Sequence, residues 1–318
     1  MLEQILKSIK RISTGLVTAA TLATILYSGT GCNDSTKIKK IYVQPPPPPP
    51  TRVYWVAFTH QRNGADLEIY TIGSDGIGGA RLTYNSIDDD EPDWSPDTIR
   101  IAFTTNRDGN YEVYVMDAYG NTQTNLTNHP ADDTGPAWSP NGRIFFTSGR
   151  DGNKEAYSMD DDGNNLQRLT YDPADDFDVA LSPDGNQMAF VSTRDGDPEV
   201  YTADADDGSN TQKLTDNPFD DLSPKYSPDG NEIAFTTNRD GNYEVYVRSS
   251  TPGGIEENLT NHPADDTSPD WSPDVRIAFG TNRDGGPGGI YIIHRDGSNL
   301  EKLVGWPYWS GNPDWVPQ

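Results

Sequence analysis

One position recurs along this chain at a nearly fixed interval. A large apolar residue opens a turn of the Trp-Ser-Pro type at Trp94, Trp138, Leu181, Tyr226, Trp271 and Trp315, so the spacings are 44, 43, 45, 45 and 44 residues. A period that constant specifies a stack or ring of equal units, each burying its faces against its neighbours. Within a unit apolar residues alternate at period two, as in Ile101 and Phe103 or Val113 and Val115, between Gly, Asp, Asn and Pro punctuation. The second unit predicts four short antiparallel strands, Ile101 to Thr105, Glu112 to Met116, Gln123 to Thr127 and Pro136 to Ser139. Four strands in about 40 to 45 residues make one propeller blade.

Six units predict an all-β, six-bladed β-propeller over residues 53–318. The first unit begins at Val53 in mid-repeat, and the last ends with Asn312-Pro313-Asp314-Trp315, a strand with no blade of its own. That C-terminal strand is expected to become the innermost strand of the first blade, beside Val53 to Phe58, which leaves no open sheet edge.

The motif set W-S-P-D-G, I-A-F-T-x-x-R-D-G, E-V-Y and L-T resembles the TolB-type propeller repeat over residues 53 to 318. Arg-Asp-Gly stands at 107–109, 150–152, 194–196, 239–241 and 283–285, with Arg62-Asn63-Gly64 in the first unit. The resemblance implies a non-catalytic scaffold whose protein partners dock on a propeller face, with a peptide reaching the central channel. TolB itself carries an α/β domain before its propeller. Here the segment between leader and repeat has no room for one, so a lipoprotein form without it is expected.

Residues 1–31 predict an export signal of the lipoprotein type: Lys7, Lys10 and Arg11, an apolar run from Leu16 to Tyr27, then Gly29-Thr30-Gly31-Cys32. Cys32, the only cysteine, stands where a lipoprotein peptidase leaves a new N-terminus for lipidation. A plain secretory signal is the alternative. Residues 32–52 form a Pro-rich tether whose six prolines, Pro45 to Pro50, hold a stiff spacer of roughly 19 Å. The protein is therefore expected in the bacterial cell envelope, periplasmic or surface-facing, touching the membrane only through its lipid anchor, and as a monomer.

Removing residues 1–31 takes the formal charge from −25 to −27, which repels nucleic acid and anionic headgroups. A basic peptide segment of an envelope protein, a cation or a neutral glycan suits such a surface. Strand direction places the Arg-Asp-Gly turns on one face with the acidic loops Asp88-Asp89, Asp132-Asp133, Asp175-Asp176, Asp220-Asp221 and Asp265-Asp266. Two readings stay open there: ion pairs tying neighbouring blades, and an electronegative mouth for calcium or a basic partner. The loops Asp160 to Gly163 and Asp204 to Gly208 lack the alternating ligand register of a calcium site and are expected as Asp-Gly hairpin turns.

No catalytic site is expected. No G-x-S-x-G elbow occurs, and His60, His129, His262 and His294 fall on different units or faces. Oligogalacturonate lyases, which are similar propellers, hold a metal through clustered histidines, so lyase-like activity is the weaker alternative, with a glycan- or cation-binding module ahead of it. The repeat breaks in the sixth unit, where Gly305-Trp306-Pro307-Tyr308-Trp309-Ser310 replaces the acidic loop. Trp306, Tyr308 and Trp309, with Arg283 and Asp284, are the expected partner-binding residues, because Trp and Tyr combine large contact area with low ordering cost. The same rings would alternatively seal the seam. Asn125-Leu126-Thr127 and Asn258-Leu259-Thr260 match glycosylation sequons but are expected as repeat strands.

Overall fold

A computed structural model describes residues 53–61, 66–286, 288–305 and 310–317. Cys32, the tether, Arg62-Asn63-Gly64, Trp306, Tyr308 and Trp309 lie outside the described residues. Residues 53–318 form one compact unit of six four-stranded antiparallel sheets. From the channel outwards, blade 1 is β24 (Ser310–Trp315), β1 (Trp55–Gln61), β2 (Leu67–Gly73) and β3 (Ala80–Arg81). Blade 2 is β4 (Asp89–Trp94), β5 (Arg100–Thr105), β6 (Glu112–Asp117) and β7 (Thr124–Asn125). Blade 3 is β8 (Asp133–Trp138), β9 (Ile144–Ser148), β10 (Glu155–Met159) and β11 (Gln167–Arg168). Blade 4 is β12 (Asp176–Leu181), β13 (Gln187–Ser192), β14 (Glu199–Asp204) and β15 (Gln212–Lys213). Blade 5 is β16 (Asp221–Tyr226), β17 (Glu232–Thr237), β18 (Glu244–Ser249) and β19 (Glu256–Asn258). Blade 6 is β20 (Asp266–Trp271), β21 (Arg276–Thr281), β22 (Gly289–His294) and β23 (Glu301–Gly305). The ring closes as the phase of the repeat predicts, with β24 antiparallel to β1 and Val56 opposite Trp315.

The middle strands are buried on both sides, because every blade is covered by two others. In blade 2 the large side chains Ile101 and Phe103 pack with Ala57 and Ile69 of blade 1. Ala102, on the other side of the same strand, packs with Trp138 and Phe146 of blade 3. Large residues on one side and small on the other let flat sheets interdigitate around a ring.

Two strand boundaries differ from expectation. The outer strand of blade 2 is only Thr124–Asn125. The Asn125 side-chain oxygen accepts the N–H groups of Thr127 and Asn128, and that local turn ends pairing. The innermost strand of blade 3 starts at Asp133 and runs through Pro136 by means of a bulge between Thr134 and Ala137. Proline has no N–H to donate, so a bulge is where a strand tolerates it. All six inner strands carry this irregularity, with a left-handed residue at Glu91, Gly135, Asp178, Ser223, Ser268 and Asn312 (φ 48 to 61°).

Candidate functional site

The Arg-Asp-Gly element is a lock inside each blade. The Arg107 guanidinium donates to Asp89 at 2.9 Å and lies 4.7 Å over the Tyr114 ring. The Tyr114 hydroxyl donates to Asp108, and Gly109 closes the turn at φ 102°. The pairs Arg150–Asp133, Arg194–Asp176, Arg239–Asp221 and Arg283–Asp266 repeat it. The expected ties between neighbouring blades are therefore corrected: every one of these pairs joins strands of the same blade. The reason is reach, since arginine turns back over its own sheet onto the first residue of the inner strand.

The acidic loops divide by position. Asp89, Asp133, Asp176, Asp221 and Asp266 are fully buried. Burial raises the pKa of Asp133 and Asp176 against the pull of their hydroxyl and arginine partners. The residue before four of them does connect blades: Asp88, Asp132, Asp175 and Asp265 accept the N–H of Leu67, Tyr111, Lys154 and Tyr243 in the preceding blade. Asp220 accepts from the Asn238 amide and the Tyr243 hydroxyl. Among the described residues no group of three His, Cys, Asp or Glu is placed to hold a metal ion. The Asp160 to Gly163 and Asp204 to Gly208 segments are hairpin turns, closed by Gly163 N–H to Asp160 and Gly208 N–H to Asp204. Arg283 is spent on Asp266, and Asp284 accepts from Tyr291 at 2.8 Å and pairs with Lys302.

What the ring creates is its axis. Each inner strand turns two positions to the channel, the left-handed bulge residue, which is a glycine in blade 3, and the residue just before the landmark position. The second set is Asp93, Ala137, Ala180, Lys225, Asp270 and Asp314. Three of these carboxylates staple blades together: Asp270 accepts the N–H of Trp315 at 2.7 Å, Asp314 that of Trp94 at 2.8 Å, and Asp93 that of Trp138 at 2.7 Å. The staples run through blades 6, 1, 2 and 3, and so span the seam where the chain ends meet.

Lys225 enters from blade 5, with Nζ 3.6 Å from Asp93 and 3.7 Å from Asp314. Burial pulls its pKa down, but Asp270, Asp93 and Asp314 outweigh that and hold it above the ordinary value. Burial pushes Asp270 up to about 6, and burial with the Asp93 and Asp270 charges pushes Asp314 well up. Lys225 also marks a neck. A cavity of about 370 Å³ lies at the Ser-Pro end, walled by Trp94, Trp138, Trp271 and Trp315, and one of about 110 Å³ lies at the other end, by Glu91 and Asp178. Both reach Lys225 and Asp93. Glu91 accepts from Thr104 at 2.8 Å and from the N–H of Gly135 in the next blade at 2.8 Å. Burial first, then Asp90, raises it to about 7.

Sequence reading passed over these axial residues because it followed what repeats. The signal was the opposite one: within a conserved repeat frame, the columns Glu91/Gly135/Asp178/Ser223/Ser268/Asn312 and Asp93/Ala137/Ala180/Lys225/Asp270/Asp314 change charge from unit to unit. Chemistry individual to this chain sits where a consensus is abandoned on a rigid strand.

Comparison with known proteins agrees with the geometry. None of the curated proteins compared matches this chain. Among solved structures it is similar to TolB from Acinetobacter baumannii, with TM-score 0.73 and 26% identity over 83% of this chain and 67% of that one. It is also similar to a putative TolB from Agrobacterium tumefaciens, with TM-score 0.66 and 19% identity over 82% and 91%. A nidogen/laminin complex shares the fold alone, with TM-score 0.67 and 8% identity over 83% and 98%. The family model described as TolB beta propeller domain matches residues 90–178, 174–258 and 212–318, and with the repeat, the closure and the channel now placed, the chain belongs to that family.

Proposed function

We propose that this protein is a non-catalytic, lipid-anchored propeller of the bacterial cell envelope that works as a protein-binding scaffold. Cys32 is its acylation site, residues 32–52 its tether and residues 53–318 its binding domain. The observation that carries the reading is the channel, where Asp93, Asp270, Asp314, Glu91 and Asp178 outnumber the one Lys225 ammonium between two cavities. Such an excess favours a basic, extended segment of a partner, since field lines concentrate in a narrow low-dielectric opening. Trp306, Tyr308 and Trp309, which follow β23 in the chain, remain the proposed anchors for a partner on the Arg-Asp-Gly face, with Arg283 and Asp284 of blade 6 as further contact residues.

The test is photo-crosslinking from the full chain in its native envelope. A photoreactive residue is placed at Pro96 or Ser268, at the two ends of the channel, and at Tyr84 on the outer rim. One protein joined from a channel position and not from Tyr84 supports the reading, and loss of the adduct on changing Trp306 and Trp309 to Ala places the anchors. No protein joined from either channel position overturns it. A fatty-acid label lost in Cys32→Ala supports the anchor, and a label retained there rejects it.

A further inference from the structure

We propose that the groove between blades 4 and 5, on the Ser-Pro face, binds a neutral saccharide. Two of the corresponding seams are filled by an arginine stacked on a tryptophan. The Arg100 guanidinium of blade 2 lies 4.8 Å over the Trp138 ring of blade 3, and Arg276 of blade 6 lies 5.4 Å over Trp315 of blade 1. A flat cation stacked on an indole closes each of those seams. Between blades 4 and 5 the same two positions are Gln187 and Tyr226, both smaller and neutral. The space left is a groove of about 470 Å³, within the roughly 300–1,000 Å³ of small-molecule sites.

Its walls have the chemistry of a polyol site. Among the described residues, the hydroxyls of Thr202 and Tyr226 and the amide of Gln212 have no hydrogen-bond partner, although Thr202 is only 7% exposed. These groups open into the groove, where water or a ligand hydroxyl can complete them. Asp184 and Asp229 are fixed in place. Each accepts from a serine hydroxyl, Ser182 or Ser227, and from the main chain and amide of Asn186 or Asn231. Their free lone pairs accept from ligand hydroxyls, while the amides and hydroxyls serve as donor or acceptor, which matches the alternating demand of a vicinal diol. Burial, then the Asp184 charge, pushes the Tyr226 phenol up, so it stays a neutral donor beside an apolar ring. Two carboxylates exclude an anionic sugar. The inference is independent of the channel reading, since Lys225 and the axial aspartates do not line this groove.

The experiment is titration calorimetry of the full chain with maltohexaose, cellohexaose, chitohexaose and, as the anionic counterpart, an oligogalacturonate. At least one neutral hexaose is expected to bind, with affinity at least tenfold lower in Gln187→Arg, which introduces the side chain that fills the seams between blades 2 and 3 and between blades 6 and 1. Tyr226→Phe, which removes one hydroxyl and keeps the ring, should cost about three- to tenfold at unchanged melting temperature, and it decides the matter if Gln187→Arg folds poorly. No neutral hexaose bound at millimolar concentration, equal or better binding of the oligogalacturonate, or affinity untouched by both substitutions would overturn the proposal.

Discussion

The Asp93 carboxylate of blade 2 accepts the backbone N–H of Trp138 in blade 3 at 2.7 Å, across 45 residues of chain. One oxygen staples two blades while the other faces Lys225. Asp93→Ala leaves a buried N–H without an acceptor and should cost about 1–3 kcal/mol. Asp93→Asn keeps an acceptor and should cost less. Urea denaturation of the two variants separates the staple from the charge, and equal losses would refute the staple.

Lys225 is the axial counter-charge, so Lys225→Met should destabilise by about 3 kcal/mol at pH 7.5, the low end for breaking a buried pair, because its side chain keeps 30% exposure. The loss should shrink towards pH 5 as Asp270, raised to about 6, and Asp314 take up protons. A pH-independent loss in denaturant midpoint would assign Lys225 a packing role instead.

Glu91 has a folded pKa of about 7 against an ordinary 4.5. Between those values the folded chain holds the proton that the unfolded chain has released, so unfolding sheds a proton and stability falls as pH rises through the window. The contribution is complete below about 4.5 and gone above about 7. Glu91→Gln, which keeps an acceptor for Gly135 N–H, should flatten the slope of melting temperature against pH between 5 and 7.5. An unchanged slope would exclude Glu91 as its source.

Ion pairs of different burial should separate cleanly. Arg150, with 12% side-chain exposure, donates to Asp133 and stacks over Tyr157 at 4.8 Å. Arg150→Lys loses the flat stacking and the fork of donors and should cost about 1–3 kcal/mol. Asp161→Ala removes an exposed partner of Arg100 and should change stability by less than about 1 kcal/mol. Comparable losses in guanidinium titrations would contradict this ranking.

Ser268 sits at φ 51° in its bulge, a conformation that costs a side-chain-bearing residue about 1–2 kcal/mol. Ser268→Gly should therefore raise the denaturant midpoint, by up to about 1 kcal/mol after the entropy lost by glycine. A lower midpoint would mean the serine hydroxyl contributes more than the strain.

The sequence by itself determined the period, the blade count, the closing strand and the face on which each turn lies. All follow from local rules, alternation within a strand and Gly or Asp at turns, repeated at one interval. Arg107 and Asp89 could be placed on one face but not paired, because whether a side chain folds back on its own sheet or crosses to the next depends on blade spacing. Only the tertiary structure decided the axis. Asp93, Lys225, Asp270 and Asp314 stand at least 44 residues apart, and ring closure alone brings them around one point. The groove between blades 4 and 5 was hidden for the same reason: Gln187 and Tyr226 look like ordinary repeat variation until the seams between blades 2 and 3 and between blades 6 and 1 show an Arg stacked on a Trp at the same two positions.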